Sequence, residues 1–331
     1  MQVVVLAGGI GSRLLPWTKS IPKPLLPMLD KTLLEQVISS VPSDMIDEVV
    51  VAGGYKVEMI KSYFSKSDFD FDITIVPEAE PLGTGGALGN CRDVVSGTFA
   101  CFNGDIISSL DVKSLLSLHR SNGGIGTLGL WEVNDPTRFG IVGLDDNSKI
   151  TKFMEKPKPE QVFSNLINAG SYIFEDDVFD YIPKGKNSIE RDVFPYLAEE
   201  KLLNGQKFEG FFIDSGTRSS WCDAVRTCIE NKRFTQGEIC GKSWFEKPFG
   251  RVEEGSTIID SMIGKDSEIM HSVIENSTIL SGTKVSRNVS IESCLIGNNV
   301  TIGENSKLTN MIVEDGSIVP DDSILNDGQW P

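Results

Sequence analysis

The stretch Val3-Val4-Val5-Leu6-Ala7-Gly8-Gly9-Ile10-Gly11-Ser12-Arg13 decides the fold of the longer, first part of the chain. It begins as a short apolar run, which is typical of a strand buried on both faces of a parallel sheet. Glycines follow at once, and a glycine-rich turn after a first strand lets backbone N–H groups approach phosphate oxygens closely. The stretch therefore predicts an α/β domain with a phosphate site at the carboxyl end of its first strand.

Strand-like and helix-like segments alternate after this stretch. We expect further strands over residues 48–52, 73–76 and 99–102, and helices over residues 33–41 and 56–64. The alternation predicts a Rossmann-like doubly wound sheet with ligands at the carboxyl ends of its strands. A nicotinamide-binding enzyme is excluded, because the glycine spacing is not GxGxxG and the second strand ends without an acidic residue.

The composition changes after residue 250. Between residues 252 and 327 there is no Phe, Tyr or Trp. Steps near six residues predict a parallel β-helix of hexapeptide-type repeats, in which inward aliphatic residues stack from coil to coil, and a β-sandwich is the alternative. The aliphatic residues recur in steps of five or six: Val252, Ile258, Ile263, Ile269, Ile274, Leu280, Val285, Ile291, Ile296, Ile302, Leu308, Val313, Val319 and Ile324.

The predicted domains are residues 1–232, which form the α/β domain, and residues 252–327, which form the β-helix. Residues 233–251 join the two domains and contain Phe234, Trp244, Phe245 and Phe249. Because a free linker is rarely so aromatic, we expect this segment to dock the β-helix onto the α/β domain.

Charge and composition exclude several classes of function. The formal net charge of −16 disfavours nucleic acids and anionic membranes as partners, since both need a basic surface. Six cysteines without a CxxC pair indicate reduced thiols, and two histidines leave little room for zinc hydrolysis or Ser-His-Asp catalysis. No stretch approaches the roughly 20 apolar residues of a membrane helix. No basic region precedes the first strand, so we expect a cytoplasmic protein.

A second motif, Pro22-Lys23-Pro24-Leu25-Leu26-Pro27, follows the glycine-rich turn. Together the two motifs resemble the signature of the sugar-1-phosphate nucleotidyltransferases, and the resemblance covers nearly the whole chain. The family implies a mixed doubly wound sheet followed by a left-handed β-helix. Further segments resemble it in chain order: Glu80-Pro81-Leu82-Gly83-Thr84-Gly85-Gly86-Ala87, Asn103-Gly104-Asp105, Arg138-Phe139-Gly140-Ile141-Val142, Glu155-Lys156-Pro157, Asn168-Ala169-Gly170 and Phe212-Ile213-Asp214-Ser215-Gly216-Thr217.

The resemblance implies a reaction of a sugar 1-phosphate with a nucleoside triphosphate, giving a nucleotide-sugar and pyrophosphate. It implies Mg²⁺ ligands at Asp105 and Asp214, which with Arg13 and Lys23 form the catalytic set. Nucleotide contacts are implied at Leu6, Ala7, Gly8, Gly9, Gly11, Ser12, Arg13, Glu78, Glu80, Gly83 and Thr84. Sugar-phosphate contacts are implied at Gly140, Glu155, Lys156, Asn168 and Gly170.

The chemistry agrees with these roles. The attacking phosphate is already ionised at pH 7, so no general base is required, and catalysis consists of positioning and charge neutralisation. We expect Arg13 to hold the leaving phosphates, Lys23 to lie near the α-phosphate and Lys156 to bind the sugar phosphate. The sequence departs from the common family pattern at Ser12, where threonine is usual, and at Trp17, where leucine is common.

The nucleotide is indicated by two glutamates. By position, Glu78 matches a base-reading glutamine of the thymidylyltransferases. A carboxylate at Glu78, or at Glu80 in its place, suits the two adjacent donors of guanine; the alternative is that both are solvated loop residues. GTP and mannose 1-phosphate are therefore the preferred substrates, with dTTP or UTP and glucose 1-phosphate as the alternative. A non-catalytic regulatory subunit that binds nucleotide-sugars is a further alternative, which the intact set of charged residues disfavours.

The β-helix carries one histidine, His271, which we expect to be an exposed corner residue rather than the base of an acetyltransferase. A β-helix exposes a flat face and an open end, both suited to self-association. We therefore expect a homo-oligomer, formed through the β-helix.

Overall fold

The computed structural model describes residues 1–67 and 69–331. The chain divides into two compact units. The first contains Met1–Gly9 and Val37–Phe212, and the second contains Ile10–Gln36 and Ile213–Pro331. The division runs through the glycine-rich turn, so the residues after Gly9 belong to the unit that holds the carboxyl-terminal part of the chain.

The first unit is built on a mixed β-sheet, as predicted. The first strand lies in its middle and is parallel to its neighbours on both sides, whereas the strand Leu166–Phe174 runs antiparallel and joins the second half of the sheet. Along the main path the strands are Ile150–Glu155, Gly140–Leu144, Leu166–Phe174, Phe99–Asn103, Gln2–Leu6, Glu48–Gly53 and Asp72–Pro77. Gly126–Glu132 pairs with Leu166–Phe174, and Leu203–Lys207 pairs with Gly126–Glu132.

The predicted strands of the first unit begin and end within one residue of their observed positions. Val3, Val4 and Val5 are fully buried, because a central parallel strand is covered on both faces. The helix predicted over residues 33–41 ends earlier, at Ile38. Two serines follow it, and Val41 precedes Pro42, a position that disfavours helical backbone.

Helices occur in both units. The α-helices are Trp17–Ser20, Leu33–Ile38, Val57–Phe64, Gly83–Gly89, Val112–Asn122, Phe194–Glu199 and Arg218–Glu230. Shorter 3-10 turns are Ser12–Leu14, Lys23–Leu25, Ser43–Met45, Pro159–Gln161 and Asp176–Tyr181, and a π-turn covers Ile189–Val193. Among the residues that the structure describes, no helix has the length and apolar character to cross a membrane.

The carboxyl-terminal part of the second unit is the predicted left-handed β-helix, with parallel strands on three faces. One face contains Arg251–Val252, Glu268–Ile269, Lys284–Val285, Thr301–Ile302 and Ile318–Val319. The second face contains Thr257–Ile259, Val273–Glu275, Ser290–Glu292 and the first halves of Lys307–Val313 and Ile324–Trp330. The third contains Met262–Ile263, Thr278–Ile279, Leu295–Ile296 and the second halves of those two long strands.

One corner of the β-helix is always tight, which explains the mixture of five- and six-residue steps. The inward residues on its two sides are five positions apart in each coil, as at Ile274 and Ile279 or at Ile291 and Ile296. The corner residue adopts a left-handed backbone with φ between 44° and 57°, which Asn and Asp tolerate better than most residues. These corner residues are Asp260, Asn276, Ser293 and Asn310.

Two of the predicted inward positions are wrong by one residue. Ile279 packs in the core of the β-helix where Leu280 was predicted, and Leu325 packs against it where Ile324 was predicted. Ile324 is instead 73% exposed. The reason for the first error is the tight corner, which shortens that step to five residues. His271 lies exposed at another corner, with φ 40°.

The remaining residues of the second unit pack on the third face of the β-helix. The outward residues Met262, Leu295 and Ile312 on this face are almost fully buried. Trp221, on the helix Arg218–Glu230, is also fully buried. Two hairpins complete the unit. Pro27–Met28 pairs with Lys31–Thr32, and Glu238–Cys240 pairs with Ser243–Phe245, which in turn lies beside Met262–Ile263.

Candidate active site

The end of the first strand passes directly over a buried carboxylate. Ala7 donates its N–H to the carbonyl of Ala52 at 2.6 Å, which holds the chain beside the neighbouring strand. A Cβ placed on Gly8 would stand 2.5 Å from Oε1 of Glu78. Only glycine at position 8 therefore lets the backbone lie against Glu78. Gly9 has open space around it.

Of the two predicted base-reading glutamates, Glu78 is buried and Glu80 is exposed. Oε2 of Glu78 accepts the N–H of Leu82 at 3.1 Å. Its Oε1 is buried and has no hydrogen-bond partner within residues 1–67 and 69–331. A buried carboxylate oxygen without a partner is unfavourable, so this atom is available to accept a hydrogen bond from a ligand.

Residues 83–89 form a short α-helix that begins at Gly83. Glycine is a poor helix former, and here close packing requires it. A Cβ on Gly83 would stand 2.4 Å from the carbonyl oxygen of Asn187, and one on Gly85 only 2.9 Å from the backbone N of Ile189. Gly85 also donates its N–H to the Asn187 carbonyl at 3.2 Å. We call Gly83–Gly89 the glycine helix.

Glu190, which the sequence analysis missed, supports this helix. One of its oxygens, Oε2, accepts hydrogen bonds from the hydroxyls of Thr84 and Ser188, both at 2.6 Å. Thr84 in turn accepts the N–H of Ile189 at 3.2 Å. No short motif could reveal Glu190, because Thr84 lies 106 residues away in the sequence.

Asn103-Gly104-Asp105 folds over the end of the first strand. Gly104 donates its N–H to the Leu6 carbonyl at 2.9 Å, and a Cβ there would stand 2.8 Å from that oxygen. Gly170, with φ 62°, lies against the side-chain amide of Asn103. Oδ1 of Asn103 is buried without a partner in the described part of the chain, and Asp105 is half-buried.

Three of the predicted sugar-phosphate residues come together at a pair of antiparallel strands. Gly140 lies opposite Glu155 in the register, and a Cβ on Gly140 would stand 2.9 Å from Oε2 of Glu155. Nζ of Lys156 is 3.6 Å from Oε1 of the same glutamate. Burial, and then the negative charge of Glu190, raise the pKa of the Glu155 carboxyl. Lys156 itself remains 58% exposed and therefore accessible to an anion.

Asn168 and Gly170 form a second polar group in the first unit. The side-chain amide of Asn168 donates to the hydroxyl of Tyr172 at 2.9 Å, and its oxygen accepts the N–H of Gly170 at 3.1 Å. Burial, and then the charge of Glu190, raise the pKa of Tyr172 well above its usual range. The hydroxyl therefore stays protonated, so these groups are neutral.

In the second unit, the side chains of Arg13 and Asp214 both lie next to Gly216. A Cβ on Gly216 would stand 2.5 Å from Nη2 of Arg13 and 2.8 Å from Oδ1 of Asp214. Gly216 also donates its N–H to that carboxylate oxygen at 2.9 Å. Glycine at position 216 thus leaves room for the guanidinium and the carboxylate side by side.

Lys23 is buried beside the glycine-rich turn, whereas Ser12 and Arg13 are exposed. Gly11 adopts φ 71°, and a Cβ there would stand 3.1 Å from Cβ of Lys23. The stem of Lys23 therefore packs on the turn that carries Arg13. We call residues 10–25 the Arg–Lys segment.

The predicted site residues divide between the two units. The second unit holds Gly11, Ser12, Arg13, Lys23 and Asp214. The first unit holds Leu6, Ala7, Gly8, Gly9, Glu78, Glu80, Gly83, Thr84, Asp105, Gly140, Glu155, Lys156, Asn168 and Gly170. Across residues 1–67 and 69–331, no cluster of three or more His, Cys, Asp or Glu side chains could hold a metal ion by itself.

Two family models match the chain. The model described as "Nucleotidyl transferase" matches residues 2–231, and the model described as "GlmU-like, C-terminal hexapeptide" matches residues 248–326.

Several known proteins are similar to the chain over long stretches. It is 30% identical to mannose-1-phosphate guanylyltransferase 1 of Arabidopsis thaliana, over 99% of this chain and 94% of the relative. It is 29% identical to the mannose-1-phosphate guanyltransferase of Schizosaccharomyces pombe, over 99% and 93%. The crystal structure of HddC from Yersinia pseudotuberculosis matches with a TM-score of 0.57 and 27% identity, over 68% of this chain and 97% of that one.

Proposed function

The chain belongs to the nucleotidyl transferase family as a sugar-1-phosphate nucleotidyltransferase, and we propose that its substrates are GTP and mannose 1-phosphate. The names of its relatives support this pair of substrates. The products are then GDP-mannose and pyrophosphate.

The unpartnered Oε1 of Glu78 is the observation that carries the choice of GTP. Guanine presents two adjacent donors, the N1–H and the N2 amino group, and a carboxylate accepts without donating. Uracil and thymine present one donor between two acceptors, and two acceptors facing a carboxylate would be repelled. Glu80 is exposed, so Glu78 is the better base-reading residue of the two.

Charge neutralisation is the main task of the remaining residues. We assign Arg13 to the β- and γ-phosphates that leave, and Lys23 to the α-phosphate. Lys156 binds the phosphate of the sugar, whose ionised oxygen attacks the α-phosphorus without a general base. Glu155 accepts hydrogen bonds from sugar hydroxyls, and Asn168 accepts or donates them. The glycines at positions 140 and 170 let the sugar approach the backbone.

Asp105 and Asp214 are the residues that would hold Mg²⁺. Both are half-buried carboxylates, and hard oxygen donors of this kind suit Mg²⁺, which commonly takes one or two carboxylates together with substrate phosphates. When bound, the ion supplies further neutralisation of the phosphate charge.

We further propose the domain bounds 1–232, 233–251 and 252–327, a cytoplasmic location and a homo-oligomer formed through the β-helix. The structure agrees with a reducing compartment, because it contains six free thiols: Cys91, Cys101, Cys222, Cys228, Cys240 and Cys294.

Ile318 and Ile324 at the last coil are 70% and 73% exposed, which favours self-association there. A monomeric mass by light scattering would contradict the oligomer.

Pyrophosphate release tests the proposed function. Purified protein with Mg²⁺ is assayed across GTP, dTTP, UTP, ATP and CTP, each with mannose, glucose or N-acetylglucosamine 1-phosphate. We expect release with GTP and mannose 1-phosphate. Release only with dTTP or UTP and glucose 1-phosphate would overturn the choice of substrates, and silence in every pair would overturn the enzymatic function.

Glu78→Gln tests the base-reading residue, with Glu80→Gln as its matched control. The amide replaces one acceptor by a donor at nearly constant volume. We expect kcat/KM for GTP to fall about 10- to 100-fold in Glu78→Gln, because a hydrogen bond to a charged group is lost, and to change less than about twofold in Glu80→Gln. Equal effects of the two substitutions would contradict the assignment.

A further inference from the structure

Trp17 is a buried tryptophan to which the catalytic scheme gives no role. It is 3% exposed, and its ring packs edge-on against Trp221, with centroids 6.1 Å apart and planes at 87°. Its indole Nε1–H donates to the carbonyl of Val313 at 3.0 Å. Val313 ends the strand Lys307–Val313, so Trp17 attaches the Arg–Lys segment to a coil of the β-helix.

A second contact reinforces the first at the next residue of the same coil. Lys19 forms an ion pair with Glu314 at 3.2 Å. The lysine is 61% exposed, so this pair contributes little on its own. The buried indole hydrogen bond and the ring packing are therefore the main attachment.

Thr18 extends this attachment to the glycine-rich turn. It is fully buried, and its hydroxyl donates to the carbonyl of Gly11 at 3.0 Å. A Cβ on Gly11 would meet the methyl group of Thr18 at 2.9 Å and Cβ of Lys23 at 3.1 Å. Thr18, the residue after Trp17, thus packs on the turn that precedes Arg13 and beside the stem of Lys23.

We propose that Trp17 is a positioning residue, through which the β-helix fixes the groups that bind the nucleotide phosphates. Arg13 and Lys23 lie within six residues of Trp17, on the segment that the indole attaches to Val313. A misplacement of about 1 Å at such groups costs about 100-fold in rate, so a small release of the segment has a large effect. This proposal rests on the proposed function, because it assigns Arg13 and Lys23 to the triphosphate.

The test compares Trp17→Phe with Trp244→Phe. Both tryptophans are buried in the second unit, and both donate an indole N–H to a backbone carbonyl, since Trp244 donates to Gln236 at 3.1 Å. Trp244 packs on Phe234 and donates its indole N–H to Gln236, so neither of these contacts involves residues 10–25. The two substitutions therefore remove similar contacts at different places.

We expect Trp17→Phe to raise KM for GTP and to lower kcat, with a combined fall of about tenfold in kcat/KM. KM for mannose 1-phosphate stays within about twofold, because Glu155, Lys156 and Asn168 belong to the first unit. Trp244→Phe, at a similar loss of thermal stability, leaves both KM values within about twofold. The proposal would be overturned if Trp17→Phe and Trp244→Phe lost kcat equally, in proportion to their unfolded fractions, with no change in KM.

A binding measurement separates this proposal from the proposed function. Titration calorimetry with GTP and Mg²⁺ requires no turnover, so it reports on the Arg–Lys segment even if no pyrophosphate is released. We expect the affinity for GTP to fall about fivefold in Trp17→Phe and to stay unchanged in Trp244→Phe. Equal affinities in the wild type and Trp17→Phe would overturn the positioning role, whether or not the wild type is active.

Discussion

The glycine helix and the Arg–Lys segment both contain glycines and residues that we assign to nucleotide binding, but different contacts hold them. The glycine helix is fixed by polar contacts from residues 187–190, with the carboxylate of Glu190 at their centre. The Arg–Lys segment is fixed by the aromatic packing of Trp17 and by a carbonyl of the β-helix. The first site carries no cation of its own, whereas the second carries Arg13 and Lys23.

This difference separates recognition of the base and the sugar from charge neutralisation at the triphosphate, whereas Lys156 of the first unit is assigned to the sugar phosphate. In the first unit, close backbone contacts at glycines bring polar groups such as Glu78 and Glu155 near the places where base and sugar would bind. In the second unit, cations extend from a segment that an apolar contact holds. Substitutions at Glu78 and Glu155 should therefore change how well a particular base or sugar is used, and substitutions at Arg13 should slow the reaction with every nucleotide.

The largest expected effect is that of Arg13→Ala. Removing the guanidinium leaves the charge of the leaving phosphates uncompensated, so kcat/KM should fall about 10³-fold for every nucleotide tested. Arg226→Ala is the control, because Arg226 is 38% exposed and pairs only with Asp223 on its own helix among the contacts described. We expect it to change activity less than about twofold. A loss in Arg13→Ala that differed strongly between nucleotides would contradict the separation.

Gly85→Ala should disrupt the polar attachment of the glycine helix. The new Cβ would stand 1.9 Å from Oδ1 of Asn187 and 2.9 Å from the backbone N of Ile189, so the helix or residues 187–189 must move. We expect the free energy of unfolding in urea to fall by about 2–3 kcal/mol. Gly9→Ala, with open space around it, should leave this free energy unchanged within about 0.5 kcal/mol.

Glu155→Gln should weaken the sugar site without weakening the fold. We expect kcat/KM for mannose 1-phosphate to fall about 10- to 30-fold, while KM for GTP changes little. Because burial and Glu190 raise the pKa of Glu155, the folded protein binds a proton more tightly than the unfolded chain. Stability then falls as the pH rises from the ordinary glutamate pKa of about 4.3 through the raised value.

The glutamine variant lacks that decline, because it has no proton to lose. At pH 7 it should therefore be at least as stable as the wild type in thermal unfolding. A variant that unfolded more easily than the wild type at pH 7, but not at pH 4, would show that the charged form of Glu155 stabilises the fold, against this prediction.

The smallest expected effect is that of Glu314→Gln. It removes the exposed ion pair with Lys19 but leaves the indole hydrogen bond to Val313 intact. We expect kcat/KM to fall less than about twofold at low salt and not at all in about 0.5 M salt, where exposed pairs are screened. A fall as large as that of Trp17→Phe would assign the attachment to the ion pair instead.

The features of the fold that depend on local sequence patterns could be predicted from the sequence. Apolar runs predict four strands of the first unit to within a residue, and the aliphatic spacing predicts the β-helix. The glycine motifs predict close approach of a ligand to the backbone, which stays a prediction, and the structure shows in addition that Gly8 lies against Glu78. The helical state of residues 83–89 could not be predicted, because four glycines disfavour a helix and only packing against residues 187–189 stabilises it.

The features that the sequence did not reveal depend on contacts between residues far apart in the chain. Glu190 and Trp17 find their partners 106 and 296 residues away, and neither belongs to a motif with a fixed spacing. The errors at Leu280 and Ile324 have a different cause. A periodic pattern gives the average length of a step, but not which corner of the coil is the short one.

The stacked coils also set the distances between the contacts that they make with the rest of the second unit. The indole of Trp17 meets the coil that ends at Val313, Arg218 binds the carbonyl of Ser293 one coil earlier, and the backbone of Leu29 contacts Met262 in the first coil. Adjacent coils are about 4.8 Å apart, as hydrogen-bonded strands are. Deleting one coil of 17 residues, for example residues 286–302, would keep every inward stack in register but would shift Val313 by that distance relative to Met262. The number of coils, and not only their sequence, thus sets where the Arg–Lys segment is held.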